Sequence, residues 1–153
     1  MNNTIFQPAV SHRFLATFTF EHIPSPLDVH FQTVSGLDRS MGINSVRQGG
    51  DNVGAFHLPT GIEHGQLTLQ RGVMGITPLS VTFNQAMNDF KPRYIDVLIM
   101  LLNSDGLPTC GWSFRDAQPL RYETASLDAN SSQVLVNTFV LAYRDVRMLG
   151  IQA

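Results

Sequence analysis

The residues best suited to chemistry in this sequence are one cysteine, Cys110, and five histidines, His12, His22, His30, His57 and His64. A thiol becomes a nucleophile when a nearby base or positive charge lowers its pKa. Cys110, however, alternates in phase with Trp112 and Phe114, which predicts a buried strand position where a free thiol acts as a small hydrophobe. No two histidines form an HxH or HxxxH pair, so the spacing of a metal site is absent and no cofactor is expected. The turn Arg47-Gln48-Gly49-Gly50-Asp51-Asn52 could aim backbone amides at a phosphate, but it lacks the P-loop lysine and no helix follows it. It reads as a connecting loop. Asn103 to Gly106 starts like a calcium loop and then lacks the later glutamate. Asn130-Ser131-Ser132 is a glycosylation sequon, which has meaning only in a secreted chain. The 12 acidic residues are scattered singly, so no carboxylate pair is available for acid–base work. These residues predict a protein that is not an enzyme.

The elements that hold these residues are mostly strands. Arg13 to Glu21 alternates, with Phe14, Ala16, Phe18 and Phe20 on one side, and Gln66 to Arg71 does so with Leu67 and Leu69 inward. Val29 to Val34 predicts a second strand after the extended Pro24–Pro26 turn, and a third begins near Ser40 before Gly49-Gly50 breaks it. Thr77-Pro78 is a helix start, since threonine accepts from free first-turn amides and proline has none to lose. Leu79, Phe83, Met87 and Phe90 then form one apolar stripe, which Lys91-Pro92 ends. Tyr94 to Leu102 and Gln133 to Tyr143 are apolar on both sides, which predicts strands covered on two faces. Cys110 to Arg115 and Leu120 to Leu127 predict further strands. The expected fold is mainly β: a β-barrel of about eight short strands with one flanking helix.

At 153 residues a single domain is expected, with residues 1–10 as an N-terminal arm and 37–65 as a long glycine-rich loop. The longest apolar run, Val97 to Leu102, falls far short of the ~20 residues of a membrane span, and no signal-peptide pattern opens the chain. A pI near 6.2 gives no electrostatic basis for specific nucleic-acid binding. One cysteine excludes an intrachain disulfide framework. Only 14% of residues are charged, against about 25% in an average soluble protein, so part of the surface is expected to meet protein rather than water. The two-sided strands point the same way, toward an oligomer.

Six segments in order resemble the inner tube proteins of contractile phage tails and bacterial contractile injection systems. They are Pro8 to Phe20 with His12-Arg13-Phe14, Phe31 to Leu37 with its VSGL, Arg47 to Asn52 followed by Leu58-Pro59, Leu67 to Gly72, Trp112 to Pro119, and Leu127 to Ala129 with the final strand. The chain departs from that pattern at Asn137, where the family commonly carries an acid. The resemblance implies a type VI secretion tube-like barrel, with six copies in a ring and rings stacked into a tube. Its partners would be other copies of itself, a surrounding sheath, baseplate or spike proteins, and cargo in the lumen. The role would be that of conduit and piercing rod, in the main tube or in the ring that initiates it. Such a particle is assembled in the bacterial cytoplasm and in some systems released. Subunit contacts are then expected at Arg47, Gly49, Gly50 and Asn52 of the turn, and at Leu58 and Pro59 behind it. Arg71, Gly72, Asn137 and Tyr143 are the remaining candidates. The alternative is a monomeric β-barrel that binds a small ligand in its interior, which the many phenylalanines facing inward would fill.

Overall fold

The computed structural model describes residues 13–26, 28–50, 52–73 and 75–150; the N-terminal arm and His12 lie outside the described residues. In order the elements are β1 (Phe14–Phe20), β2 (Ile23–Ser25), β3 (Thr33–Ser35), β4 (Arg39–Val46), β5 (Phe56–His64), β6 (Gln66–Gly72), α1 (Pro78–Asp89), β7 (Ile95–Leu102), β8 (Pro108–Thr124), β9 (Val136–Ala142) and β10 (Asp145–Gly150). Among the described residues this makes ten strands rather than about eight. Among them, too, no helix is long and apolar enough to cross a membrane.

Every strand pairing is antiparallel. The first half of β8 pairs with β7 on one edge and β10 on the other, and beyond β7 come β1 and β2. The second half of β8 pairs with β9, followed by β6 and β3. A single 17-residue strand thus runs through both sheets. The sequence reads it as two strands because its alternation breaks: Asp116 has φ +50°, and Phe114 and Ala117, three apart, are both buried. An extra residue in a strand shifts every later side chain to the opposite face.

The strands do not close into a barrel among the described residues; β2 and β3, three residues each, are left as the margins of open sheets. Pro24 and Pro26 explain much of this, since each removes a ladder donor where the first sheet would extend. The chain between the margins still ties them together. Ala16 N donates to Val29 O at 3.1 Å on one side, and Gln32 N donates to Gln70 O at 2.8 Å on the other.

Between the sheets lies an aromatic core. Phe18, Phe83, Phe114 and Phe139 are fully buried with Leu67, Leu69 and Leu141. Phe139 meets Phe83 edge-on at 5.0 Å, and Phe114 meets Tyr143 likewise at 4.8 Å. Such T-shaped contacts suit the ring quadrupole and leave the interior filled. The helix begins as expected. Thr77 is the N-cap, its Oγ1 accepts from Ser80 N, Ser80 Oγ accepts from Thr77 N at 2.9 Å, and Pro78 follows. Only the first half of its apolar stripe is covered, however: Leu79 and Phe83 are buried, whereas Met87 is 43% and Phe90 94% exposed. Of the two strands read as covered on two faces, β9 is buried on both at its centre, where Phe139, Val140 and Leu141 follow one another, whereas β7 is buried on one. In β7, Ile95, Val97 and Ile99 are buried while Leu98 and Met100 are half-buried.

Candidate functional site

The segment read from sequence as a loop is a long two-stranded ribbon. β4 pairs with β5 from Arg39–His64 at its root to Val46–Phe56 near its tip, with a bulge beside Gly42 and Ile43. Among the described residues neither strand of the ribbon makes an extensive contact with another element, and nearly all of the residues of both are exposed. Register divides its apolar side chains between two faces. Met41 opposite Ile62 and Ile43 opposite Pro59 make one; Asn44 opposite Leu58 and Val46 opposite Phe56 make the other. Of these, Met41, Ile43, Ile62 and Phe56 are each about 60% exposed. A two-stranded hairpin is at best marginally stable in water, and apolar side chains on both faces make it adhesive.

The root is held firmly. Gly36 has φ +85°, and a Cβ there would lie 1.7 Å from Gln66 O, so the sharp entry into the ribbon requires glycine. Tyr143 shares its one hydroxyl proton between Gly36 O at 3.2 Å and Asp38 O at 3.1 Å, and its ring lies tilted against His64 with centroids 5.3 Å apart. Burial pushes the Tyr143 phenol above its usual pKa, the Asp38 carboxylate adds to the rise, and a hydrogen bond with the Gly65 backbone opposes it.

A second constellation, which sequence reading missed, fixes the start of α1. Asp28 is fully buried and accepts from Arg71 NH1 at 2.5 Å, from Leu79 N at 3.0 Å and from Ser25 Oγ at 3.3 Å. Arg71, 3% exposed, also donates from NH2 to Thr77 Oγ1 at 2.7 Å, and its guanidinium lies over Phe31 and Phe139. The carboxylate therefore caps a helix N-terminus and neutralises the cation at once. Among the described residues two buried side-chain nitrogens have no partner, Arg71 Nε and His64 Nδ1. Arg71 lies at a cleft of about 280 Å³ with Val73, Ile76, Ser80, Tyr122 and Asn137.

Nine of the ten expected contact residues separate into two groups, with Gly72 between them. Arg47, Gly49, Gly50 and Asn52 are exposed at the ribbon tip, and Leu58 and Pro59 are exposed along β5. Arg71, Asn137 and Tyr143 turn inward and bond to their own subunit, Asn137 Oδ1 accepting from Thr124 Oγ1 at 3.0 Å. Gly72 is half-buried at the end of β6. Cys110 is half-buried rather than buried, opposite Leu101 and Gly150 at one end of the first sheet. His57 meets Ser45 Oγ at 3.0 Å on the exposed ribbon. No cluster of three or more His, Cys, Asp or Glu side chains able to hold a metal occurs among the described residues.

Residues 11–147 match the family model described as T4-like virus tail tube protein gp19. The fold superposes with a TM-score of 0.88 on a chain of the anti-feeding prophage baseplate, solved with sixfold symmetrisation; the two are 44% identical over 96% of this chain and 99% of that one. A chain of the sheath–tube complex of an extracellular contractile injection system gives a TM-score of 0.78 at 26% identity, over 96% of this chain and 95% of that one. A type six secretion system protein, 12% identical, shares the fold at a TM-score of 0.55 over 88% of this chain and 82% of its own. Among curated proteins nothing matches.

Proposed function

Because the chain belongs to the T4-like virus tail tube protein family, we propose that it forms sixfold rings that stack into the inner tube of a contractile injection machine. Its role is structural, as conduit for cargo and as the rod driven through a target envelope. The observation that carries this reading is the β4–β5 ribbon, whose two apolar faces are exposed among the described residues. Neighbouring copies would supply that cover through the tip residues Arg47, Gly49, Gly50 and Asn52 and through Leu58 and Pro59. Lateral contact would also close the open sheets into a barrel-like wall and cap the free strand edges. The sixfold symmetrisation of the baseplate relative supports the ring number. Identity of 44% to that chain, against 26% to the sheath–tube chain, favours a place at the baseplate, as the ring on which the tube starts. Sheath subunits then lie outside and spike proteins below. Assembly takes place in the bacterial cytoplasm, with later release of the particle.

The ligand-binding alternative finds little support. The core is packed with phenylalanine rings, and two open depressions, beside Thr138 and beside Arg71, have mixed polar and apolar linings. Negative-stain electron microscopy of the purified protein tests the proposal. Sixfold rings, alone or stacked, are expected. A monomer that persists at high concentration and adds to no baseplate or partner ring refutes it.

A further inference from the structure

We infer that the cleft beside the start of α1 is a recognition site for one carboxylate group. The inference is independent of the tube reading. The site is an open notch that grips a functional group at the surface, unlike the enclosed chamber of a ligand-binding barrel. Two unanswered donors meet there. Arg71 is the first: its side chain is 4% exposed, NH1 and NH2 are bonded to Asp28 and Thr77, and Nε–H has no acceptor among the described residues. Asn137 is the second. It stands directly opposite Arg71 on β9, is 5% exposed, and lines the same cleft. Its Oδ1 is taken by Thr124 Oγ1, which leaves the NH2 end of the amide without an acceptor among the described residues. Buried donors in native proteins nearly always have partners. What the notch lacks is an acceptor, and an ionised carboxylate is the side-chain-sized group that only accepts.

Geometry and charge narrow the class. Residues opposite each other on neighbouring strands hold their Cβ atoms about 5 Å apart, so the two donors lie side by side and suit a planar acceptor with two oxygens. The charge of Arg71 is already matched by Asp28, which disfavours a dianion. What remains positive is the start of α1, a 12-residue helix with no acidic residue in its first turn, and its Ser80 lines the cleft. One further negative charge fits that field. The rim is apolar, with Ile76 89% and Val73 46% exposed, and Tyr122, packed on Phe83 and Phe139, forms a fixed wall. A volume of about 280 Å³ holds an aliphatic carboxylate of a few carbons, the size of a glutamate side chain. The group comes either from a free solute or from an acidic side chain of a protein docked at this face; the donors read the same chemistry in both.

Nuclear magnetic resonance of the 15N-labelled protein tests the site. Dispersed protein is titrated with sodium acetate, and separately with sodium chloride at the same ionic strength. The Arg71 Nε–H and Asn137 side-chain amide resonances should shift saturably at millimolar acetate, as suits so small a ligand, and not with chloride. Asn137→Asp sets a carboxylate opposite Arg71 within the chain and keeps an oxygen for Thr124, so the acetate response should vanish. Ile76→Glu, at an exposed position outside the core, should weaken acetate about fivefold by charge repulsion. Solid-state spectra of assembled material without acetate separate the sources. Resonances already at the acetate-bound position assign the carboxylate to a docked protein, and resonances that still require acetate assign it to a free solute. No saturable shift in the dispersed wild type, or a response unchanged in either variant, overturns the site; Arg71 Nε–H then donates to water alone.

Discussion

Replacing Asp28 with asparagine isolates the charge of the buried network from its geometry. Asparagine keeps a side-chain oxygen for Leu79 N and so preserves the helix cap, but it withdraws the counterion of Arg71. Both side chains are at least 96% buried, so water cannot screen the loss. Breaking a buried ion pair by removing one partner costs about 3–5 kcal/mol. Domains of this size typically have ~5–15 kcal/mol of stability, so Asp28→Asn should lose a large fraction of it. At ~2–4 °C per kcal/mol, the melting temperature should fall by roughly 6–20 °C. Arg71→Met on its own strands the carboxylate instead, with a loss of similar size. The double variant Asp28→Asn/Arg71→Met leaves no buried charge and should recover at least ~2 kcal/mol relative to the sum of the single losses. Urea unfolding monitored by circular dichroism reads all four proteins. The measurement belongs at concentrations where no rings form, since assembly adds its own stabilisation. If Asp28→Asn unfolds within about 1 kcal/mol of the wild type, the pair contributes far less than its burial implies and the reasoning from desolvation fails.

Gly36→Ala should destabilise the chain by more than ~3 kcal/mol and reduce its soluble yield, because the new Cβ would collide with Gln66 O at a positive φ. Phe90→Gly should raise stability by about 0.5–1 kcal/mol in the same urea assay, since Phe90 caps α1 at φ +52° and is 94% exposed. The raised pKa of Tyr143 makes stability depend on alkaline pH: its contribution is complete below about pH 10, where the unfolded tyrosine ionises, and is lost as pH rises through the higher folded value. Tyr143→Phe should lose about 1 kcal/mol at neutral pH, from the hydroxyl hydrogen bond shared by Gly36 O and Asp38 O, and flatten that alkaline decline; an unchanged decline would assign it to other groups.

The parts of the fold that were legible in sequence are those where local pattern and tertiary position agree. Thr77-Pro78 announces α1 because capping is a matter of a few neighbouring residues. The alternation in β1 and β6 is clean because one face of each is buried. Parity in β6 even carried the position of Arg71, which falls in phase with Leu67 and Leu69; the motif that drew attention to the residue says nothing about which way it points. Asn137 follows Phe139 and Leu141 in the same manner. Other features leave no local trace. The partner of Asp28 is 43 residues away, and nothing near Asp28 distinguishes it from a surface acid. β4 is the strand expected near Ser40, but β5 and the pairing escaped because strands with two similar faces do not alternate, and the glycines read as loop. β10 lies against β8 as a short, mostly exposed strand, below any periodicity threshold.

The long strand β8 has a mechanical meaning. Its 17 residues are one covalent segment shared by both sheets, and β9 and β10 run back along it with only Tyr143 and Arg144 between them. Neither sheet can peel away from β8 without disturbing a strand that also belongs to the other. Local opening, which in most proteins begins in whichever layer is weaker, here must break both ladders at once. A subunit wired in this way resists the loss of one sheet ahead of the other.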